Sequence, residues 1–255
     1  EIEKVTRIST QNSELDLVLG GGVVEGSLVL IGGSPGIGKS TLLLKIASNF
    51  AAQGKKTLYV SGEESASQIK LRAQRLDAVK DGLFLLTEIL IENILAEVRK
   101  NEYKILVIDS IQTLYSEKIA SAPGSVSQVR EITFELMRLA KNENICVFII
   151  GHITKDGSIA GPRILEHMVD VVLYFEGDSS RELRMLRGFK NRFGSTSEVG
   201  IFEMSENGLI SANDVAGKFF TRGKATSGSA ITITMEGSRA LSVEIQALVC
   251  ESAYP

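Results

Sequence analysis

The sequence predicts an α/β fold with a mainly parallel central sheet, and three observations predict it. Short apolar, β-rich stretches recur along the chain with helix-patterned segments between them, as in successive βαβ units. A phosphate-loop signature, G-x-x-x-x-G-K-[ST], sits between one such stretch and the helical segment that follows it. From residue 182 the hydrophobic period changes to two, which adds an antiparallel hairpin to one edge of the sheet.

The expected strands are 28–32, 57–61, 83–86, 105–109, 146–151 and 169–175. Helices are expected at 40–53, 66–78, 92–100 and 126–141; in the last, Val129, Ile132, Leu136 and Leu139 share a face at three- and four-residue spacing. Leu183, Met185, Arg187 and Phe189 alternate with Arg184, Leu186, Gly188 and Lys190, the turn 191–195 follows, and 198–204 returns as the second strand of the hairpin. Residues 1–210 therefore form the first domain. The Gly-, Ser- and Ala-rich stretch 211–228 reads as a linker, and the strand-like pair 231–235 and 241–247 opens a second α/β domain within 229–255.

Composition narrows the class. At 255 residues the chain has length for one to two domains and a sizeable core, with 44% hydrophobic and 23% charged residues, which excludes wholesale disorder. Its 28 lysines and arginines against 31 acidic residues give a net charge of −3, so any contact with nucleic acid rests on a local patch. The cysteines Cys146 and Cys250 form no CxxC pair, and Cys146 lies in an apolar run where a buried thiol is expected. No run approaches the roughly 20 apolar residues of a membrane helix, and Glu1-Ile2-Glu3-Lys4 has no signal-peptide pattern. The expectation is a cytoplasmic chain cut from something longer.

The phosphate loop is Gly33-Ser34-Pro35-Gly36-Ile37-Gly38-Lys39-Ser40, with Thr41 directly after it. Its glycines let the backbone wrap an oxyanion, amides at a helix start point at a phosphate, and Lys39 reaches the β- and γ-oxygens of ATP. Ser40 offers its hydroxyl to Mg2+. A second magnesium-site residue is expected at the end of a buried strand, and Ile105-Leu106-Val107-Ile108-Asp109 supplies Asp109; a strand-terminal turn cap is the plainer alternative. Hydrolysis also needs a carboxylate for the attacking water. Glu63 and Glu64 both follow the strand 57–61, and spacing does not choose between them.

These residues resemble the RecA-like ATPases, and within them a family of bacterial recombinational-repair ATPases, over about residues 9–210. The segments that carry the resemblance are GSPGIGKSTL at 33–42, YVSGEES at 59–65, GHITKDGSIAGPRILEHMVD at 151–170 and KNRFG at 190–194. The resemblance implies a RecA-like P-loop NTPase that binds ATP and Mg2+ and acts as a DNA-dependent motor, of helicase type, on single-stranded or branched DNA. It implies a homohexameric ring, and the recombinase RecA is an expected partner. It also implies that Glu63 is the base. A zinc finger would precede this region, and a Lon-protease-like domain would follow, of which 231–249 resembles the opening strands.

His152 ends the strand 146–151, where related ATPases place a γ-phosphate sensor; a strand-end histidine that simply hydrogen-bonds is the equal alternative. His167, fifteen positions on, has no zinc-ligand spacing with it. The polar stretches 116–128 and 154–163 correspond to the loops that hold DNA in a central pore, with Lys118, Lys155 and Arg163 as phosphate contacts; the plainer alternative is solvated loop charge. Lys190 and Arg192, one residue apart at the hairpin turn, share a face and correspond to cations extended into a neighbouring subunit's ATP site. The plainer alternative is an exposed hairpin tip. Two other functions compete with a motor: an ATP-switched DNA-binding recombination mediator that does not translocate, and an autokinase that passes phosphate to a side chain.

Overall fold

The computed structural model describes residues 6–152, 164–177, 183–205, 208–211, 227–247 and 249. In chain order the elements are β1 (Arg7–Ile8), α1 (Ser13–Leu19), β2 (Val23–Val24), β3 (Leu28–Gly33), α2 (Lys39–Ala52), β4 (Thr57–Ser61), α3 (Ala66–Arg75), β5 (Leu83–Thr87), α4 (Ile91–Asn101), β6 (Ile105–Asp109), α5 (Val126–Glu143), β7 (Cys146–His152), α6 (Ile164–Met168), β8 (Val171–Glu176), β9 (Leu183–Asn191), β10 (Val199–Ser205), β11 (Gly208–Ser211), β12 (Ser229–Glu236) and β13 (Arg239–Gln246). A nine-stranded sheet in the order β11-β10-β9-β8-β3-β7-β6-β4-β5 forms the body. From β8 to β5 every pairing is parallel, whereas β8–β9, β9–β10 and β10–β11 are antiparallel.

Alternation along the buried strands sorts their side chains onto two faces. Val29, Ile31, Tyr59, Val107, Phe148 and Ile150 join one core with Leu43, Ile46 and Phe50 of α2 and Ile69 of α3. Leu28, Leu30, Val60, Ile108 and Ile149 join the other, with Ile94 and Val98 of α4 and Ile132 and Leu136 of α5. Both faces are covered, which is why the strands read as continuous apolar runs instead of alternating ones.

Local chemistry fixes the helix starts. Ser65 accepts from the Gln68 amide while the Gln68 side chain returns to the Ser65 amide, a capping box that starts α3. Ser125 caps α5 in the same sense through Gln128 N.

The expected strands and helices occur, with shifted ends. β8 starts at Val171 instead of residue 169, and α3 stops at Arg75 instead of residue 78. The expected hairpin is β9–β10, continued by β11. Of the expected linker, Ser211 belongs to β11, residues 227–228 form a turn, and 212–226 lie outside the described residues. β12 and β13 form a separate two-stranded antiparallel ribbon. Its turn meets the body: Arg239 makes a bidentate pair with Glu14 of α1 at 2.8 and 2.9 Å, Ser238 donates to Glu198 at 2.8 Å, and Arg187 pairs with Glu236 at 2.8 Å. Cys146 is buried, which pushes its thiol pKa up to about 12; Cys250 lies outside the described residues. No helix among them is long and apolar enough to cross a membrane.

Candidate nucleotide site

Four strands deliver chemistry to the carboxyl edge of the sheet, where open α/β folds bind ligands. β3 runs into the loop 34–38, and Gly38 precedes α2 with φ +115°, a backbone conformation that suits glycine. A Cβ there would stand 2.8 Å from Leu209 Cδ1, a contact the leucine can relieve by shifting, so the backbone conformation is what favours glycine. Lys39 is buried and donates to the carbonyls of Gly33 at 2.7 Å and Ser34 at 2.9 Å, folded back across the loop. Burial lowers its pKa from 10.5 to about 8, against the opposing pull of Asp109 and Glu63. No acidic side chain lies in the first turn of α2. A cation at the positive end of a helix, desolvated and satisfied only by carbonyls, makes a site that favours an anion.

β4 and β6 pair in parallel with Ser61 opposite Asp109, and Gly62 N donates to Asp109 O at 3.1 Å. Gly62 has no room for a side chain, since its Cβ would lie 2.3 Å from Thr113 Oγ1. The chain then turns and sends the two glutamates in different directions. Glu63 Oε1 accepts from Ser110 Oγ at 2.8 Å and lies 3.4 Å from His152 Nε2 at the end of β7. Glu64 instead pairs with Arg72 of α3 at 2.7 Å. Asp109, 7% exposed, accepts from the Tyr59 hydroxyl at 2.5 Å.

Lys39, Ser40, Asp109, Glu63 and His152 thus share one edge, as the sequence predicts. Tyr59, Arg72 and Ser110 are partners that the sequence reading missed. The oxygen donors Ser40 and Asp109 suit a hard cation such as Mg2+, and among the described residues no cluster of three or more His, Cys, Asp and Glu offers a competing metal site. Beside the loop, a cleft of about 430 Å3 is lined by Thr41, Lys45, Arg75, Leu76, Asp77, Leu209 and Ile210.

Lys190 and Arg192 lie at the other edge. Val171, the first residue of β8, pairs with Asn191, whereas Phe175 pairs with Gly33. The five steps of β3 separate the two edges by about 16 Å. Lys190 Nζ donates to the carbonyls of Glu166, Val169 and His167, closing the end of α6, and Arg192 reaches Asp170 and the same His167 carbonyl. Both cations share a side, as their spacing predicts, yet neither is a loose tip. Asp170 is 4% exposed in its side chain and also accepts from Leu28 N and Lys141, while Arg7 holds the Phe193 carbonyl at 2.6 Å.

The stretch 116–128 is less open than its composition predicts. Its end belongs to α5, from whose first turn Gln128 donates to the carbonyls of Ser116, Ile119 and Ser121 and accepts from Ser116 N. Lys118 is exposed and paired with Glu135 at 3.4 Å. Lys155 and Arg163 lie outside the described residues.

Comparison with known proteins adds a family. The profile of the AAA domain matches residues 3–158. The chain is 73% identical over 255 residues to DNA repair protein RadA of Campylobacter jejuni, covering 100% of this chain and 57% of that protein. Proteins of the same name from Helicobacter pylori and Bacillus subtilis are 65% identical over 254 residues and 53% identical over 255 residues, covering 57% and 56% of their lengths. The chain therefore spans a little over half the length of these curated relatives. Together with the mainly parallel sheet and its antiparallel edge, the match gives a RecA-like P-loop fold.

Proposed function

The chain belongs to the AAA-domain family, and on that premise we propose that it is an ATP hydrolase of DNA repair whose site is completed by a neighbouring copy. The observation that carries the reading is the convergence of Lys39, Asp109, Glu63 and His152 on the loop edge. The triphosphate lies on the amides of 33–41, and Lys39 exchanges the carbonyls of Gly33 and Ser34 for the β- and γ-oxygens. Ser40 and Asp109 are the residues that hold Mg2+, which when bound offsets charge on the same oxygens. The nucleobase side of ATP takes the cleft by Thr41 and Leu209.

Glu63 takes the proton of the attacking water. Ser110 donates to Glu63 Oε1 and fixes its direction, and His152, between that carboxylate and the loop, reads the γ-phosphate. The ion pair with Arg72 removes Glu64 from this role. Lys190 and Arg192 are too far from their own loop to touch its phosphate, so they serve the next copy in a head-to-tail ring, the expected hexamer, by neutralising charge on the transferring phosphoryl group.

DNA, single-stranded or branched, is held by Lys118, Lys155 and Arg163, and hydrolysis drives translocation along it in the cytoplasm, with RecA as a partner. The name borne by the relatives supports the repair role. The ATPase unit takes 1–210, and the ribbon 229–246 opens the next domain. ATP hydrolysis measured with and without single-stranded DNA tests the reading. Stimulation by DNA is expected; hydrolysis indifferent to DNA contradicts the motor, and none in any condition contradicts the hydrolase.

A further inference from the structure

Tyr59 is fully buried in β4, and its hydroxyl has two polar neighbours. It lies 2.5 Å from Asp109 Oδ2 and 3.4 Å from Arg72 NH2, while Arg72 holds Glu64 on its other side. The direction of the phenol proton follows from the partners: a guanidinium only donates and a carboxylate only accepts, so the proton lies toward Asp109. The result is a chain Asp109···Tyr59···Arg72···Glu64 that alternates anion, neutral donor, cation and anion. It runs from the base of the nucleotide site to the first turns of α3.

We propose that Tyr59 is a positioning residue for the magnesium site: its hydroxyl commits Oδ2 of Asp109 and so turns the other carboxylate oxygen toward the metal, with Arg72 and Glu64 holding the phenol. The assignment rests on the reading of Asp109 as a magnesium-site carboxylate. The same chain gives Glu64 a duty, that of anchoring Arg72, in place of the one Glu63 holds.

The test uses this chain with Tyr59→Phe, Asp109→Asn and both together. Affinity for a fluorescent ATP analogue is titrated against Mg2+ and measured again in chelator, and thermal unfolding is followed for each protein. Tyr59→Phe, which loses one oxygen and keeps its ring, is expected to bind metal-free nucleotide as the parent does. It should need about 10-fold more Mg2+ for half-maximal tightening, the range for removal of a group behind a ligand. Asp109→Asn should need more again, and the double variant should match it, because Tyr59 acts only through Asp109. An Asp109→Asn protein with the parent's Mg2+ dependence overturns the reading of Asp109 itself. A shift in Asp109→Asn with none in Tyr59→Phe overturns the positioning role alone. So does a Tyr59→Phe protein that fails to fold, or one that loses affinity equally with and without Mg2+, since either makes Tyr59 a packing residue.

Discussion

Arg192 and Lys39 occupy opposite edges of one mainly parallel sheet. The guanidinium meets Asp170 at the amino end of β8, and the ammonium closes the phosphate loop at the carboxyl end of β3. Two cations suited to a triphosphate are thus kept at opposite ends of the strands within one chain, edges that lie about 16 Å apart along β3.

Lys39 sacrifices stability for binding. A base whose pKa falls from 10.5 to about 8 on folding is charged at a cost, in full below about pH 8, shrinking as pH rises toward 10.5, and absent above it. Lys39→Met should therefore be more stable than the parent at pH 7, by on the order of 2 kcal/mol once the lost hydrogen bonds to the Gly33 and Ser34 carbonyls are deducted. The gap should narrow steadily from pH 8 upward in thermal unfolding scans, while nucleotide binding is lost. A less stable Lys39→Met at pH 7 contradicts the buried-cation account.

The neighbouring glutamates should separate cleanly. Glu63→Gln keeps its shape and its contact with Ser110, binds ATP, and hydrolyses it about 10²–10⁴ times more slowly. Glu64→Gln weakens the partly exposed pair with Arg72, costs about 1 kcal/mol in unfolding, and keeps hydrolysis within about 3-fold. Single-turnover hydrolysis of each decides; the reverse ranking contradicts the assignment.

Lys118 is held by Glu135 and must leave it to meet a phosphate. Glu135→Gln should tighten binding to single-stranded DNA about 2- to 3-fold, the scale of an exposed ion pair. The triple variant Lys118→Ala, Lys155→Ala, Arg163→Ala should flatten the log–log salt slope by about 0.7 per lost contact. An unchanged slope moves the DNA site elsewhere.

Arg239 fastens the terminal ribbon by its pair with Glu14, a carboxylate 1% exposed that otherwise accepts from Ile201 N. Arg239→Ala should cost about 3 kcal/mol, because the buried charge keeps no cation, and lower the melting temperature by roughly 6–12 °C. Adding Glu14→Gln should restore part of it, since the neutral amide is cheaper to bury. Calorimetry of the single and double variants reads both.

The parallel core was legible because its strands are continuous apolar runs and its phosphate loop has a fixed spacing between strand and helix. What escaped was short or non-local. α1 has seven residues, and β11 has four and stands next to β10, so neither holds a period long enough to read. Nothing in the sequence sets Glu14 or Asp170 apart from surface acids, and only folding brings Arg239 or Leu28 N to them. Glu63 and Glu64 are indistinguishable in a row of residues; Arg72, in the second turn of α3, separates them. Nothing in the sequence sets Tyr59 apart from the apolar residues around it; the register of β4 on β6 brings its hydroxyl to Asp109.

The central claim, a site completed by the next copy, is tested most directly by mixing two inactive proteins, Lys39→Ala and Arg192→Ala. Asp170 keeps Lys141 and Leu28 N when Arg192 is removed, so the loss of this half-exposed side chain should spare the fold. With equal amounts, random exchange in a head-to-tail ring pairs an intact loop with an intact Arg192 at about a quarter of the interfaces. Hydrolysis should reappear on mixing to about a quarter of the parent's rate per subunit. Mixed rings without recovered hydrolysis, under conditions where doping with the parent shows that sites fire independently, would contradict the claim.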